Sequence, residues 1–167
     1  MNRIPWQIHI GISTLLVLLQ TTLFRFIEVK GVSPDIVLIF VVFSANSKGA
    51  FRGEIVGFTS GLLEDLLSLA PLGFNSLIKT VIGYLFGKTR GKILFDPFLL
   101  PLLYILIATL IKELLSFLVS FLFLRDGSGY FNISFLLQTG FNLVLTPFIF
   151  NIFKKIKIFG ENEREMI

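Results

Sequence analysis

Apolar runs separated by short polar interruptions organise almost the whole chain. Measured against the ~20 apolar residues needed to cross a hydrocarbon core of ~30 Å, six runs qualify as candidate helical spans: about residues 4–26, 34–47, 50–69, 72–86, 97–124 and 131–153. The second and fourth are short for a full crossing, which implies little tilt or a locally thinned bilayer. Ser33-Pro34-Asp35 reads as an N-cap, a proline at the first helical position and an acid in the first turn. Asp96-Pro97 gives a similar start to the fifth span, and Pro71-Leu72-Gly73 reads as a tight turn between the third and fourth. The first run follows Met-Asn-Arg but has no small-residue cleavage site after it, so it reads as a retained anchor rather than a signal peptide.

Composition agrees with the pattern. Of 167 residues 54% are hydrophobic and 16% charged, against roughly 25% charged in soluble domains; the expected class is an all-α integral membrane protein. The length suits one six-helix transmembrane domain, residues 1–153, followed by a short cytoplasmic tail, 154–167. There is no cysteine, which removes disulfides and thiolate metal sites. The net charge of +4 comes from residues scattered between apolar runs, a mark of topology rather than of a nucleic-acid footprint. With a cytoplasmic N-terminus, the inner segments hold ten basic residues (Arg3, Lys48, Arg52, Lys88, Arg90, Lys92, Lys154, Lys155, Lys157, Arg164) and the outer loops three (Arg25, Lys30, Arg125). Both termini are therefore expected inside.

Charges within the spans are the candidate chemistry, because each costs at least ~2.5–3.5 kcal/mol at the helix centre on insertion scales and needs a partner or water. The set is Glu64, Asp65, Lys79, Lys112 and Glu113, three acids against two bases. Gly53, Gly57, Gly61 and Asp65 follow one another at steps of four on the third span, and Asn75, Lys79, Gly83 and Gly87 do so on the fourth. Folding the two antiparallel about Pro71 sets Asp65 level with Asn75, Gly61 with Lys79, Gly57 with Gly83 and Gly53 with Gly87. That register packs glycine on glycine and pairs Lys79 with Asp65. Glu64, turned about 100° away, then meets Lys112 or the outer headgroups.

Thr109, Glu113, Ser116 and Ser120 form a stripe on the fifth span, and Ser134, Gln138, Asn142 and Thr146 one on the sixth. A shared polar interior follows. It serves either as glue between helices or as a hydrated pocket or partner groove. Enzymatic chemistry is not expected: the lone His9 reads as a satisfied core residue, no metal or cofactor set is apparent, and adjacent Glu64 and Asp65 diverge too far to share a proton. Lys154, Lys155 and Lys157 hold the last helix at the interface, while Glu161, Glu163 and Glu165 cancel a polybasic patch.

The stretch from Ser33 to Gly87, with "SPDIVLIFVVF" and "GFTSGLLEDLLSLAPLGFNSLIKTVIGYLFG", resembles the rod shape-determining protein MreD family. The resemblance lies in the Pro-Asp opening, the Gly-rich helix ending in "LLEDLLS", the "PLG" turn and the "GYLFG" close. It implies a non-enzymatic bacterial inner-membrane subunit of the cell-elongation machinery. It further implies binding to MreC, indirect support of MreB and the peptidoglycan synthases, and a fold similar to the substrate-binding components of energy-coupling-factor transporters. That similarity supplies a rival, a small-molecule transporter subunit. Such subunits typically present an Ala-xxx-Ala row on the first helix, and the run "IHIGISTLLVLLQTTLF" has no alanine.

Overall fold

A computed structural model describes residues 6–22, 28, 31–68, 71–90, 98–124 and 133–155. All regular structure among them is helical: α1 (Trp6–Thr22), α2 (Ile36–Lys48), α3 (Ala50–Leu67), α4 (Phe74–Gly87), α5 (Leu99–Val119), which runs into a π-helical turn at Ser120–Leu124, and α6 (Ile133–Lys155). Each of the six expected runs overlaps one of these helices, with ends that agree to within a few residues. Arg3, Arg25, Lys30, Lys92, the Asp96-Pro97 cap, Arg125, Lys157, Glu161, Glu163, Arg164 and Glu165 lie outside the described residues, as do the side chains of Lys154 and Lys155.

The architecture follows from α2. Its sequence is apolar on every face, and a helix of that kind must be surrounded. Every residue from Val37 to Asn46 is buried. The other helices encircle it in the order α1, α3, α4, α5, α6, each touching α2 and its neighbour in that sequence, while α1 and α6 bring no Cα atoms within 8 Å of each other. Phe40 lies edge-on to Phe153 of α6 at 5.2 Å and Phe43 packs on Phe150 at 5.1 Å. At 1.5 Å per residue the 13 residues of α2 extend only about 20 Å, well short of the ~30 Å hydrocarbon thickness. Both ends of the central helix are therefore tied down inside the bundle.

Among the described residues, two stretches are long and apolar enough to cross a membrane: 24 residues from Leu99 to Leu122, in α5 and its π-helical turn, and 21 from Ile133 to Phe153 in α6. Leu103, Ile107, Leu110, Leu114 and Leu118 form an exposed stripe on α5, and Leu136, Val144, Phe148 and Ile152 one on α6. A soluble monomer rarely leaves such contiguous apolar surface uncovered; a surface of this kind suits acyl chains.

α3 and α4 form the most intimate pair. A Cβ built on Gly53 would lie 2.5 Å from the Gly83 carbonyl oxygen and 2.6 Å from the Ala45 Cβ; one on Gly61 would lie 2.5 Å from the Ser76 Cα; one on Gly57 would strike the Lys79 carbonyl and one on Gly83 the Gly53 carbonyl. Gly87 packs on Ala50. The glycine rows thus face each other, but one helical turn away from the expected register: Gly53 meets Gly83, Gly57 meets Lys79 and Gly61 meets Asn75. The reason is the α3–α4 connection. Asp65 reaches past the start of α4 to its turn, so it cannot also lie level with the body of that helix.

The start of α2 also differs from the expected one. Asp35, rather than Ser33, is the N-cap of α2, with Oδ1 accepting from Leu38 N at 2.9 Å; Pro34 precedes the cap. At the other end of α2, Gly49 (φ +90°) alone separates it from α3, a backbone conformation that favours glycine.

Replacing Gly57 or Gly83 by Leu drives a side chain into backbone that cannot rotate away, so each variant is expected to lose at least about 1–3 kcal/mol of stability and most of its folded yield on gel filtration. Gly140, where a Cβ meets nothing within 4 Å, is the control, and Gly140→Ala should melt no lower than wild type. Equal melting of all three variants would show that the α3–α4 backbones are not in contact.

Candidate functional site

The buried start of α2 exposes the problem that the polar residues solve. The first backbone N–H groups of a helix have no partner within it, and here they lie inside an apolar bundle. Asp35 N donates to Asn142 Oδ1 of α6 at 2.8 Å, Val37 N to Gln20 Oε1 of α1 at 3.0 Å and Leu38 N to the Asp35 carboxylate. Gln138 of α6 donates to the Ser33 carbonyl at 3.4 Å, just before the cap.

The Asp35 carboxylate that caps the helix is itself 3% exposed, and a buried charge must be paired. Lys112 of α5 donates to its Oδ2 at 2.6 Å, and Lys79 Nζ of α4 lies 3.5 Å from its Oδ1. Lys79, 1% exposed, donates in turn to Glu64 Oε2 of α3. Gln20 bridges the two acids, its Nε2 lying 3.5 Å from Asp35 Oδ1 and from Glu64 Oε1. Gln138 Oε1 accepts from Lys112 at 3.2 Å. The charges alternate along one line, Glu64, Lys79, Asp35, Lys112, and sum to zero. Asn142 Nδ2 carries the network on to Thr109 Oγ1 at 3.2 Å. Every one of the six helices sends a polar side chain to this point.

Two expected pairings are overturned. Lys79 pairs with Glu64 and Asp35 rather than with Asp65, and Lys112 pairs with Asp35 rather than with Glu64. Asp65 instead sits over the N-terminus of α4. Its Oδ2 accepts from Gly73 N at 2.9 Å and Ser76 N at 3.2 Å; its Oδ1 accepts from Asn75 N and Asn75 Nδ2, both at 2.9 Å. The α4 N-cap, Gly73 (φ +93°), has no side chain to do this, so an acid from the preceding helix satisfies those donors and faces the positive end of the helix dipole. Asn75 belongs to this turn, and Glu113 is half-buried on α5.

Asp35 and Gln20 are the members that the sequence reading did not place. A signal for Asp35 existed: an acid beside the first turn of a helix too short to reach both surfaces. Gln20 could have been flagged as the polar residue closing the run "LLVLL". Nearer the other end of α2, His9 Nδ1 lies 2.7 Å from Ser44 Oγ and Asn46 Nδ2 donates to the Thr89 carbonyl at 2.6 Å. His9 is thus a core residue on one nitrogen, while its buried Nε2 has no hydrogen-bond partner among the described residues, against the expectation of a satisfied core residue.

The family model for rod shape-determining protein MreD matches residues 2–156 of the 167. The chain belongs to that family. Neither a curated protein nor a solved structure matches it. Family membership makes it a shape-determining protein of the bacterial inner membrane.

Breaking a buried pair from one side strands the partner, at about 3–5 kcal/mol. Lys79→Ala is therefore expected to destabilise the purified protein strongly, and adding Glu64→Gln should recover part of the loss. The same cycle with Asp65→Ala and Lys79→Ala should be close to additive, because Asp65 serves the α4 turn. Thermal or denaturant unfolding measures both cycles; strong coupling between Asp65 and Lys79 with none between Glu64 and Lys79 would reverse the assignment.

Proposed function

We propose that the chain is a non-catalytic subunit of the rod complex that crosses the membrane six times with both termini in the cytoplasm. In this reading it binds an MreC-like bitopic protein and through it supports MreB and the peptidoglycan synthases. The match to the family over residues 2–156 carries the proposal. The six-helix domain to residue 153, the cytoplasmic tail 154–167 and a bundle similar to the substrate-binding components of energy-coupling-factor transporters are parts of the same proposal.

Physical features support a scaffold. Lys79 and Lys112 are each held by carboxylates, and Asp65 by backbone donors, so these groups are occupied in holding helices together. Glu64, Asn75, Gln138 and Asn142 act with them as a structural network, and Gly53, Gly57, Gly61, Gly83 and Gly87 as the packing face. With the N-terminus inside, α2 enters from the outer side, and the network occupies the outer half of the bundle.

Affinity purification from native membranes should recover a bitopic MreC-like protein; recovery of an ATPase module in its place would favour a transporter. Reporters fused after residue 167 should read as cytoplasmic, and an exported C-terminus would overturn the six-crossing topology. Cells depending on Lys79→Ala should round up, with rod shape partly restored by the added Glu64→Gln.

A further inference from the structure

The described basic side chains that do not enter the buried network, Lys48, Arg52, Lys88 and Arg90, lie toward the opposite end of α2. Two connections meet there. Gly49 joins α2 to α3 as a single residue, and residues 88–90 follow α4. Asn46 ties them together through the Thr89 carbonyl at 2.6 Å and the Thr89 hydroxyl at 3.1 Å. Gly87 packs on Ala50, and the Arg90 stem passes over Gly49, its Cδ 3.6 Å from where a Cβ would stand.

This brings Arg52, Lys88 and Arg90, all exposed, to one face, with half-buried Lys48 beside them. Residues 44–54 and 84–90 hold those four basic residues and one acid, Glu54. Near the other end of α2, the described exposed charge is Glu28, an acid. Aromatic rings are interleaved with the cations. Phe51, 74% exposed, precedes Arg52, and Lys88 Nζ lies 4.4 Å above the centre of the exposed Tyr84 ring.

We propose that this face docks on anionic phospholipid headgroups of the leaflet it meets. The proposal rests on the membrane reading above and deepens it. Cations beside exposed aromatic rings at helix ends match the depth where headgroup charge and acyl chains adjoin. The α2–α3 connection is too short to project, which holds the cations in that layer rather than presenting them to a protein in the aqueous phase. Each basic side chain at an anionic surface adds attraction that ordinary salt screens.

The test uses the purified full chain in zwitterionic micelles, titrated with dioleoyl phosphatidylglycerol or dioleoyl phosphatidylcholine, with bound lipid read by native mass spectrometry. Wild type should retain phosphatidylglycerol on the order of 10-fold more strongly, and the preference should shrink with added salt. Equal retention of the two lipids by wild type overturns the proposal without any variant. Arg52→Gln with Arg90→Gln should lower phosphatidylglycerol retention by roughly 10-fold or more, whereas Arg52→Lys with Arg90→Lys should keep it. An unchanged preference in the glutamine variant, or its loss in the lysine variant, overturns the charge-read surface. If instead the wild type shows no lipid preference while an acidic protein copurifies through these residues, the partner is that protein and the proposal fails. A C-terminal reporter on the same variants separates a failed lipid interaction, with insertion normal, from a failed membrane topology.

Discussion

A helix that begins inside an apolar bundle imposes one requirement on everything around it: its first N–H groups need acceptors that only other helices can supply. α2 is such a helix, about 20 Å long and buried along its length. Asn142, Gln20 and Asp35 take its N–H groups. The carboxylate that does so needs counter-charges, hence Lys112 and Lys79, and Lys79 needs a second acid, hence Glu64. The polar side chains that six helices gather at this point are consequences of where one of them starts.

This chain of requirements also orders the packing. Removing α5 would take Lys112 from Asp35; removing α1 would take Gln20 from Val37; removing α6 would take Asn142 and Gln138 from the cap. Each charge is compensated only when the helices are assembled about α2. In lipid, where apolar surface discriminates poorly between a helix and an acyl chain, such directional partners distinguish the native arrangement from other ways of grouping the same helices. The glycine faces of α3 and α4 act at shorter range. They bring two backbones together closely enough for Asp65 to reach the start of α4.

The two carboxylates that stand side by side in the sequence therefore serve different ends. Glu64 faces the bundle centre and holds Lys79, while Asp65 turns toward the α3–α4 connection and replaces the side chain that Gly73 lacks. Their divergence about the helix axis, about 100°, separates an ion pair from a helix cap. With lysines and backbone donors held in this way, the network suits a bundle that must keep its shape.

Much was determined by local pattern alone. Hydrophobic runs located each of the six described helices, because a helix in lipid satisfies its backbone within one segment and leaves that mark in consecutive residues. Steps of four residues identified the glycine faces, since spacing along one helix is fixed by its pitch. Partner choice was not written locally. Whether Lys79 reaches Asp65 or Glu64 depends on a one-turn slide between two helices, and both registers preserve the same four-residue stripe. Asp35 read only as an acid in the first turn because its role depends on how deep α2 starts, and that depth is set by the five helices around it. Tertiary structure decided these points because an ion pair between helices needs their relative rotation and height, whereas periodicity specifies only which face each helix presents.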